Sequence, residues 1–277
     1  MRKFNKALVV PAVALALTLG ACSSSTEQKA ETKSADGKEL TTVVVGASPV
    51  PHAKILEYIQ ENLAEKNGLK LEIKTFDDYI LPNEALASKE LDANYFQTVP
   101  YLKTQSEKRG YKFEAGKGVH LEPLAVYSKK LKAVEELPEG GKIGIISDPT
   151  NQERALRLLA QAKLVEIPAS GEVNVNTVKK LKNFEFAEVA GPQLARSLDD
   201  VDLGVLNGNF AQEAGLAPKK DGLLVEATEN NPASNLLVWR EGDNNPGVQK
   251  LEELLHSQEV KDYIEKTWDD GSVIPTF

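Results

Sequence analysis

The sequence predicts an α/β protein with two domains, on three observations. β-Branched runs such as TVVVGA at 42–47 and KIGII at 142–146 have the make-up of strands buried on both faces. Apolar residues recur at helical spacing between such runs, so the chain alternates β-α-β-α and its sheets are expected to be largely parallel with helices on both faces. The part from about Thr41 to Phe277 is long enough for two domains of roughly 100 to 150 residues each.

The elements follow in order from the N-terminus. Arg2, Lys3 and Lys6 precede an uncharged apolar stretch from Ala7 to Leu19, which marks residues 1–21 as a signal peptide. That stretch falls short of the roughly 20 apolar residues a membrane-spanning helix needs. Leu19-Gly20-Ala21-Cys22 resembles a bacterial lipobox, in which the thiol of Cys22 takes a diacylglyceryl group and Cys22 becomes the first residue of the mature chain. Cys22 is the only cysteine among 277 residues, so no intrachain disulfide can form and an unmodified exported thiol would stay reactive. Each buried methylene of an acyl chain such as palmitate adds about 0.8 kcal/mol of membrane affinity, and stable anchoring takes two chains. From Cys22 to residue 40 the chain is rich in Ser, Thr, Lys and Glu with almost no large apolar side chain. It is expected to be a flexible tether that keeps a folded body close to a membrane partner.

Beyond the tether, Thr42 to Ala47 reads as a buried strand, and from Pro51 the residues Ile55, Leu56, Ile59 and Leu63 recur at helical spacing until Gly68 stops them. Leu69, Leu71 and Ile73 alternate as a strand does. Pro82 opens a short helix with Ala85 and Leu86 inward, and Tyr95 and Phe96 sit on an extended segment. Leu124 to Tyr127 and Lys142 to Ile146 read as strands, Asn151 to Lys163 as a helix, and Val201 to Leu206, Leu223 to Glu226 and Leu236 to Trp239 as further strands. Two helices end the chain, one opened by Pro246 and one capped by Ser257. In such folds ligands sit beyond the carboxyl ends of strands, so the residues that follow each strand are where a site is sought.

Those residues carry a resemblance. The segments VVVGASPVPHAKILE (43–57), FDDYILPNEALASKELDANYFQTVPYL (76–102), GVHLEPLAVYSKK (118–130), SDPTNQERALRLLAQAKL (147–164), LARSLDDVDLGVLNGNFAQEAGL (194–216) and SNLLVWREGD (234–243) resemble the methionine-binding lipoproteins of bacterial ABC importers, the NlpA-type lipoprotein family. The resemblance runs the length of the body with the order of the blocks kept. It implies a two-lobed periplasmic-binding-protein fold of type II with two crossover strands, the first near Tyr127 to Lys130 and the return near Pro232 to Leu237. Lobe 1 is then expected over 41–128 plus 236–277 and lobe 2 over 129–235. The implied function is capture of methionine, with the choice between the L- and D-forms left open, for a membrane permease and its ATPase, by a monomer anchored through its lipid and facing the outside of the cytoplasmic membrane or the periplasm. No cofactor is expected. Relatives in this fold family bind other small amino acids or Met-containing dipeptides, which stand as alternatives.

Candidate ligand-binding residues come from the same blocks. Thr150 with Glu153 three residues on reads as a capping box directly after the strand at 142–146, so a helix N-terminus is expected to face the cleft and attract an anion. Arg154, read as lying in the first turn, can donate a bidentate pair to a carboxylate. Spacing alone fits a surface arginine as well; the resemblance assigns it the ligand carboxylate, with Asn151 beside it. Asn207, Asn209 and Asn235 lie at strand ends, where a side-chain amide offers a donor and an acceptor to a zwitterion. Asn207 before Gly208 fits a turn equally well, whereas for Asn235 the resemblance implies a ligand contact. Phe76, Tyr79, Tyr95, Phe96, His120 and Tyr127 are candidates for an apolar wall, since sulfur at an aromatic edge gains about 0.3–1.5 kcal/mol per contact. Tyr95 and Phe96 point to opposite faces, so one of the two is expected at the ligand. The family often has a histidine where Thr98 stands, and no role is carried onto Thr98.

Other classes fit less well. The formal net charge is −8, and loss of Arg2, Lys3 and Lys6 with the signal peptide takes it to −11, which disfavours nucleic acid as a partner. With Cys22 committed to lipid there is no Cys-His nucleophile, and G-x-S-x-G, G-x-x-x-x-G-K-[ST] and G-x-G-x-x-G are all missing, so no enzyme is expected. His52, His120 and His256 look too scattered for a dedicated metal site, which disfavours a metal-binding importer component. A surface adhesin without a small ligand is the remaining alternative.

Overall fold

The computed structural model describes Thr32, Lys33, Gly37 and residues 39–277; the signal peptide, Cys22 and most of the tether lie outside the described residues. In chain order the strands are β1 (Thr32–Lys33), β2 (Glu39–Ala47), β3 (Leu69–Thr75), β4 (Ala93–Thr98), β5 (Phe113–Leu121), β6 (Ala125–Tyr127), β7 (Gly141–Ile146), β8 (Val165–Glu166), β9 (Lys179–Lys180), β10 (Phe184–Val189), β11 (Leu203–Leu206), β12 (Leu224–Val225), β13 (Ser234–Arg240) and β14 (Ile274–Pro275). The helices are α1 (Lys54–Ile59), α2 (Leu81–Ala87), α3 (Val99–Arg109), α4 (Pro149–Gln161), α5 (Gly191–Leu194), α6 (Gly208–Glu213), α7 (Pro218–Asp221), α8 (Pro246–Leu255) and α9 (Gln258–Thr267).

Two sheets organise these elements. The first has the order β1-β2-β4-β13-β5-β14 with β3 on β2, and the second the order β10-β7-β11-β6-β12. The sheets are mixed rather than largely parallel. β2 pairs in parallel with β3 and β4, and β7 with β10 and β11, but β13 runs antiparallel to both β4 and β5, and β6 antiparallel to β11 and β12. The reason is topological: only strands joined by a helical crossover must run parallel, and β5, β6, β12 and β13 are joined by the segments that pass between the sheets. The chain leaves the first sheet after Leu121 and enters the second at Ala125, and it returns between Val225 and Ser234. β1 pairs Thr32 with Leu40 and Lys33 with Glu39, so order in the body begins ahead of Thr41.

Each sheet has its own core. Val43, Val45, Ile55, Leu56, Ile59, Leu237, Leu251 and Ile264 are fully buried where the first sheet meets the helical segment over 49–67 and helices α8 and α9. That segment ends at Gly68, whose φ of 74° returns the chain in the left-handed region that a side chain would strain. In the second half, Leu156 and Leu159 of α4 pack on Ile143, Ile145, Leu203 and Val205, all fully buried or within 1 % of it. Burial of each such side chain contributes about 1.5–3 kcal/mol, which fixes α4 against β7 and sets the direction in which its N-terminus points.

Candidate ligand-binding site

A cleft is lined by Tyr79, Phe96, Thr98 and Tyr101 from the half of the first sheet, by Asn151, Arg154, Asn207, Gly208 and Asn209 from that of the second, and by His52, Gln97, Glu122 and Asn235 at its floor. Of the expected residues, Tyr79, Phe96, Asn151, Arg154, Asn207, Asn209 and Asn235 line it. Phe76, Tyr95, His120 and Tyr127 do not. Phe76 packs in the core over Gly46 of β2, where a Cβ would meet its ring at 3.0 Å. Tyr127 belongs to the core around Ile146 and Leu206, and burial pushes its phenol up. Tyr95, on the inward face of β4, is fully buried, and its alternate Phe96 is the one that reaches the cleft.

The aromatic wall is a group of three rings. Tyr79 lies 6.1 Å from Phe96 and 5.8 Å from Tyr101 between ring centroids, and Phe96 lies 6.0 Å from Tyr101. Tyr101 was not among the expected residues. It stands in the first turn of α3, where the Thr98 hydroxyl accepts from its backbone N–H at 3.4 Å, and its own hydroxyl donates to the Tyr79 carbonyl at 2.7 Å. The spacing of Phe96, a capping Thr98 and Tyr101 was the readable signal. Tyr79 in turn donates to Asn209 Oδ1 at 2.5 Å, a hydrogen bond that spans the cleft.

The N-terminus of α4 is capped differently from the expected box. Pro149 is the first helical residue, so the N-cap is Asp148, whose Oδ1 accepts from the Asn151 backbone at 2.8 Å. Proline favours that first position because its missing N–H is not needed there, which shifts the cap two residues ahead of Thr150, to Asp148. Thr150 Oγ1 is buried without a partner, and Glu153 pairs with Arg157 at 2.6 Å instead. Arg154 therefore lies in the second turn. Its Nε donates to Glu226 Oε1 at 2.9 Å and its Nη2 to Glu226 Oε2 at 2.5 Å and to the Glu122 carbonyl at 2.9 Å. The fork expected to clamp a ligand is thus closed on Glu226 along one edge, and Nη1 is used by none of the described hydrogen bonds.

From Asp148 a chain of amides fixes the other wall. Asn151 Nδ2 donates to Asp148 Oδ1 at 2.8 Å, which can only accept, so Asn151 Oδ1 faces the other way and accepts from Asn207 Nδ2 at 2.9 Å. Asn207 Oδ1 is left buried in the cleft wall with no hydrogen-bond partner.

The floor holds a buried carboxylate. Glu122 is 6 % exposed, and its Oε1 accepts from His120 Nε2 at 3.0 Å and Asn235 Nδ2 at 3.2 Å, while Oε2 has no hydrogen-bond partner. Tyr95 donates to His120 Nδ1, and His52 Nε2 donates to Asn235 Oδ1 at 3.0 Å, which sets both rings in single-proton tautomers. Burial lowers His52 to about 4 and His120 to about 3, so both are neutral at pH 7, and burial raises Glu122 to about 7. His52 and His120 are therefore not scattered: with Glu122 they offer ligand atoms within 4.8 Å of one another, a group that could hold a metal ion. Both Nε2 atoms turn to the same carboxylate oxygen, and each ring is tied to a further side chain, so the donors are arranged as support for a carboxylate. Neither His52 nor Glu122 was among the expected site residues; burial of a lone Glu cannot be read from a sequence.

The NlpA lipoprotein family model matches residues 43–277. The methionine-binding lipoprotein MetQ of Bacillus subtilis is 39% identical over 241 residues, covering 84% of this chain and 87% of that protein. Among solved structures, a nutrient binding protein from Burkholderia cenocepacia bound to methionine is 36% identical with a TM-score of 0.81, covering 85% of this chain and 100% of that one. An ABC transporter periplasmic substrate-binding protein from Coxiella burnetii is 39% identical with a TM-score of 0.80, covering 84% of this chain and 100% of that one. With these neighbours, the expected two-lobed periplasmic-binding-protein fold is the one observed.

Proposed function

The chain belongs to the NlpA lipoprotein family, and from that premise we propose that it captures methionine in the cleft between its sheets and delivers it to an ABC importer. The observation that carries this is the pairing of an aromatic wall with a polar one: Tyr79, Phe96 and Tyr101 face Asn151, Arg154, Asn207 and Asn209 across one cleft. Rings on one side suit a thioether, and the arginine and amides on the other suit a zwitterion. Arg154 holds the ligand carboxylate through its Nη1 side. The two lobes close on the ligand about a hinge at 122–124 and 226–233, where the chain passes between the sheets. Binding without chemistry is the whole task of the cleft.

The protein works as a monomer outside the cytoplasmic membrane, anchored by a lipid on Cys22 and tethered near a permease and its ATPase. Among the described residues no helix is long and apolar enough to cross a membrane. Calorimetric titration of the mature protein, stripped of ligand by unfolding and refolding, against all common amino acids and a set of Met-containing dipeptides tests the reading. Methionine is expected to bind most tightly, and a clear preference for glutamate, lysine or a dipeptide would replace it.

A further inference from the structure

We infer that the buried amides of Asn83, Asn94 and Gln97 form a positioning group that sets the spacing of the three-ring wall and, through it, the preference of the cleft for a thioether over an aliphatic chain of equal length. The inference rests on the functional reading above and deepens it, from the side chain that is taken to what selects it. Asn83 lies on α2 and the other two on β4, and they are 1 %, 0 % and 2 % exposed. Asn94 Nδ2 donates to the Pro82 carbonyl at 3.1 Å and to Asn83 Oδ1 at 2.9 Å. Gln97 Nε2 donates to Asn83 Oδ1 at 2.7 Å and to Asn94 Oδ1 at 2.9 Å, and Gln97 Oε1 accepts from Asn83 Nδ2 at 3.0 Å. The Pro82 carbonyl can only accept, which fixes the Asn94 amide, and the Asn94 amide in turn fixes the other two. A buried amide left unpaired is costly, whereas a fully paired network of them holds the elements that carry it in one arrangement.

The network is possible because β4 carries one extra residue. Across the ladder with β13, Tyr95 faces Leu237 but Gln97 faces Leu236, so Phe96 is left without a partner. Leu236 and Val238 pack with Leu86 of α2, whereas Leu237 and Tyr95 pack in the core on the other face of the sheet. In a regular strand Asn94 and Gln97, three residues apart, would face opposite ways; the bulge at Phe96 turns both toward α2 and aims Phe96 into the cleft. The amides thus brace all three rings. They hold the bulge that presents Phe96, the strand end whose Thr98 caps the helix bearing Tyr101, and, through Pro82 and Asn83, the start of α2 just after Tyr79. Gln97 also lines the cleft, but both of its N–H groups are taken by the network, so its effect on the ligand passes through the rings.

The test compares L-methionine with norleucine, in which a methylene replaces the sulfur, on wild type, Asn83→Ala and Leu251→Ala. Asn83 does not line the cleft, and Leu251 is buried in the core on the other face of the same sheet, so its truncation lowers stability without reaching the amides. Sulfur gains at each aromatic edge, so wild type is expected to bind methionine at least about five-fold more tightly than norleucine. In Asn83→Ala that ratio is expected to fall below about twofold, and in Leu251→Ala to stay within about twofold of wild type although the melting temperature falls. An unchanged ratio in Asn83→Ala, an equal fall in Leu251→Ala, or no discrimination by wild type would overturn the inference and leave methionine capture standing. Failure of wild type to bind methionine at all would overturn the functional reading beneath it. If Asn83→Ala does not fold, Asn83→Leu, which fills the volume the amide leaves, is read by the same ratio with the same outcomes.

Discussion

Arg154 shows how a residue can be found by sequence while its working geometry is not. The resemblance put it at the ligand carboxylate, and the structure brings it to the cleft, but a carboxylate 72 residues away, Glu226, occupies the Nε and Nη2 edge. Nothing local in the sequence announces that partner, because the ion pair is made only when the return passage folds back on α4. The consequence is that Arg154→Ala acts twice. It is expected to weaken binding by roughly 2–5 kcal/mol through loss of the proposed carboxylate partner, and to lower ligand-free stability as well, because Glu226, itself 14 % exposed, is left without its partner. Arg154→Lys is expected to recover part of each effect, since an ammonium cannot fill a planar fork. Arg157, 56 % exposed and paired with Glu153 on the same helix, is the control: Arg157→Ala is expected to stay within about 1 kcal/mol in both assays. Titration and thermal melts of the three variants check this, and wild-type affinity in Arg154→Ala would move the carboxylate site elsewhere.

At the scale of elements, hydrophobic periodicity made most of the framework legible. The strand at 142–146 and the closing pair opened by Pro246 and capped by Ser257 stand where they were expected, and the helix after 142–146 is present but begins two residues early. α3, with no strong apolar stripe, and β10, whose exposed and buried residues do not alternate cleanly, carried no such signal. The start of α4 was misread because Thr150 and Glu153 imitate a capping box, while the proline at 149 had already fixed the cap at Asp148. That cap links stability to the site, since Asp148 also orients Asn151, and Asn151 orients Asn207. Asp148→Ala is expected to cost about 1 kcal/mol of stability and also to weaken methionine binding, because the Asn207 amide is no longer held with its oxygen to the cleft. Ser257→Ala removes the cap of α9, whose hydroxyl accepts from Val260 at 3.3 Å away from the cleft. It is expected to cost a similar amount of stability with no change in affinity. Equal affinity losses in the two variants would make the Asp148 effect a general loosening rather than an orientation of the site.

On the scale of the whole molecule, the site is where the two passages between the sheets meet. Arg154 Nη2 donates to the Glu122 carbonyl in the first passage, and Glu226 at the start of the return accepts from Leu124 N at 3.1 Å, so one ion pair ties both segments to α4. Burial of Glu122 at this junction makes global stability depend on pH in a stated direction. Its carboxyl is raised from 4.5 to about 7 on folding, so the stability it contributes is full below about 4.5 and is lost as pH rises through about 7. His52 and His120 act the opposite way: lowered from 6.5 to about 4 and about 3, they contribute stability that is full above 6.5 and lost as pH falls through those values. The two trends oppose each other between about 4.5 and 6.5, and a wild-type melting curve alone cannot separate them. Glu122→Gln can, because glutamine is neutral throughout and, with His52 at about 4 and His120 at about 3, both folded-state histidines are already neutral above about pH 5. The melting temperature of ligand-free Glu122→Gln minus that of wild type is expected to rise from pH 5 to pH 8.5. On the order of 3 kcal/mol is at stake, or roughly 5–10 °C for a body of this size. A constant offset between the two proteins adds equally at every pH and drops out of the slope. A difference that stays flat over that range would overturn this dependence.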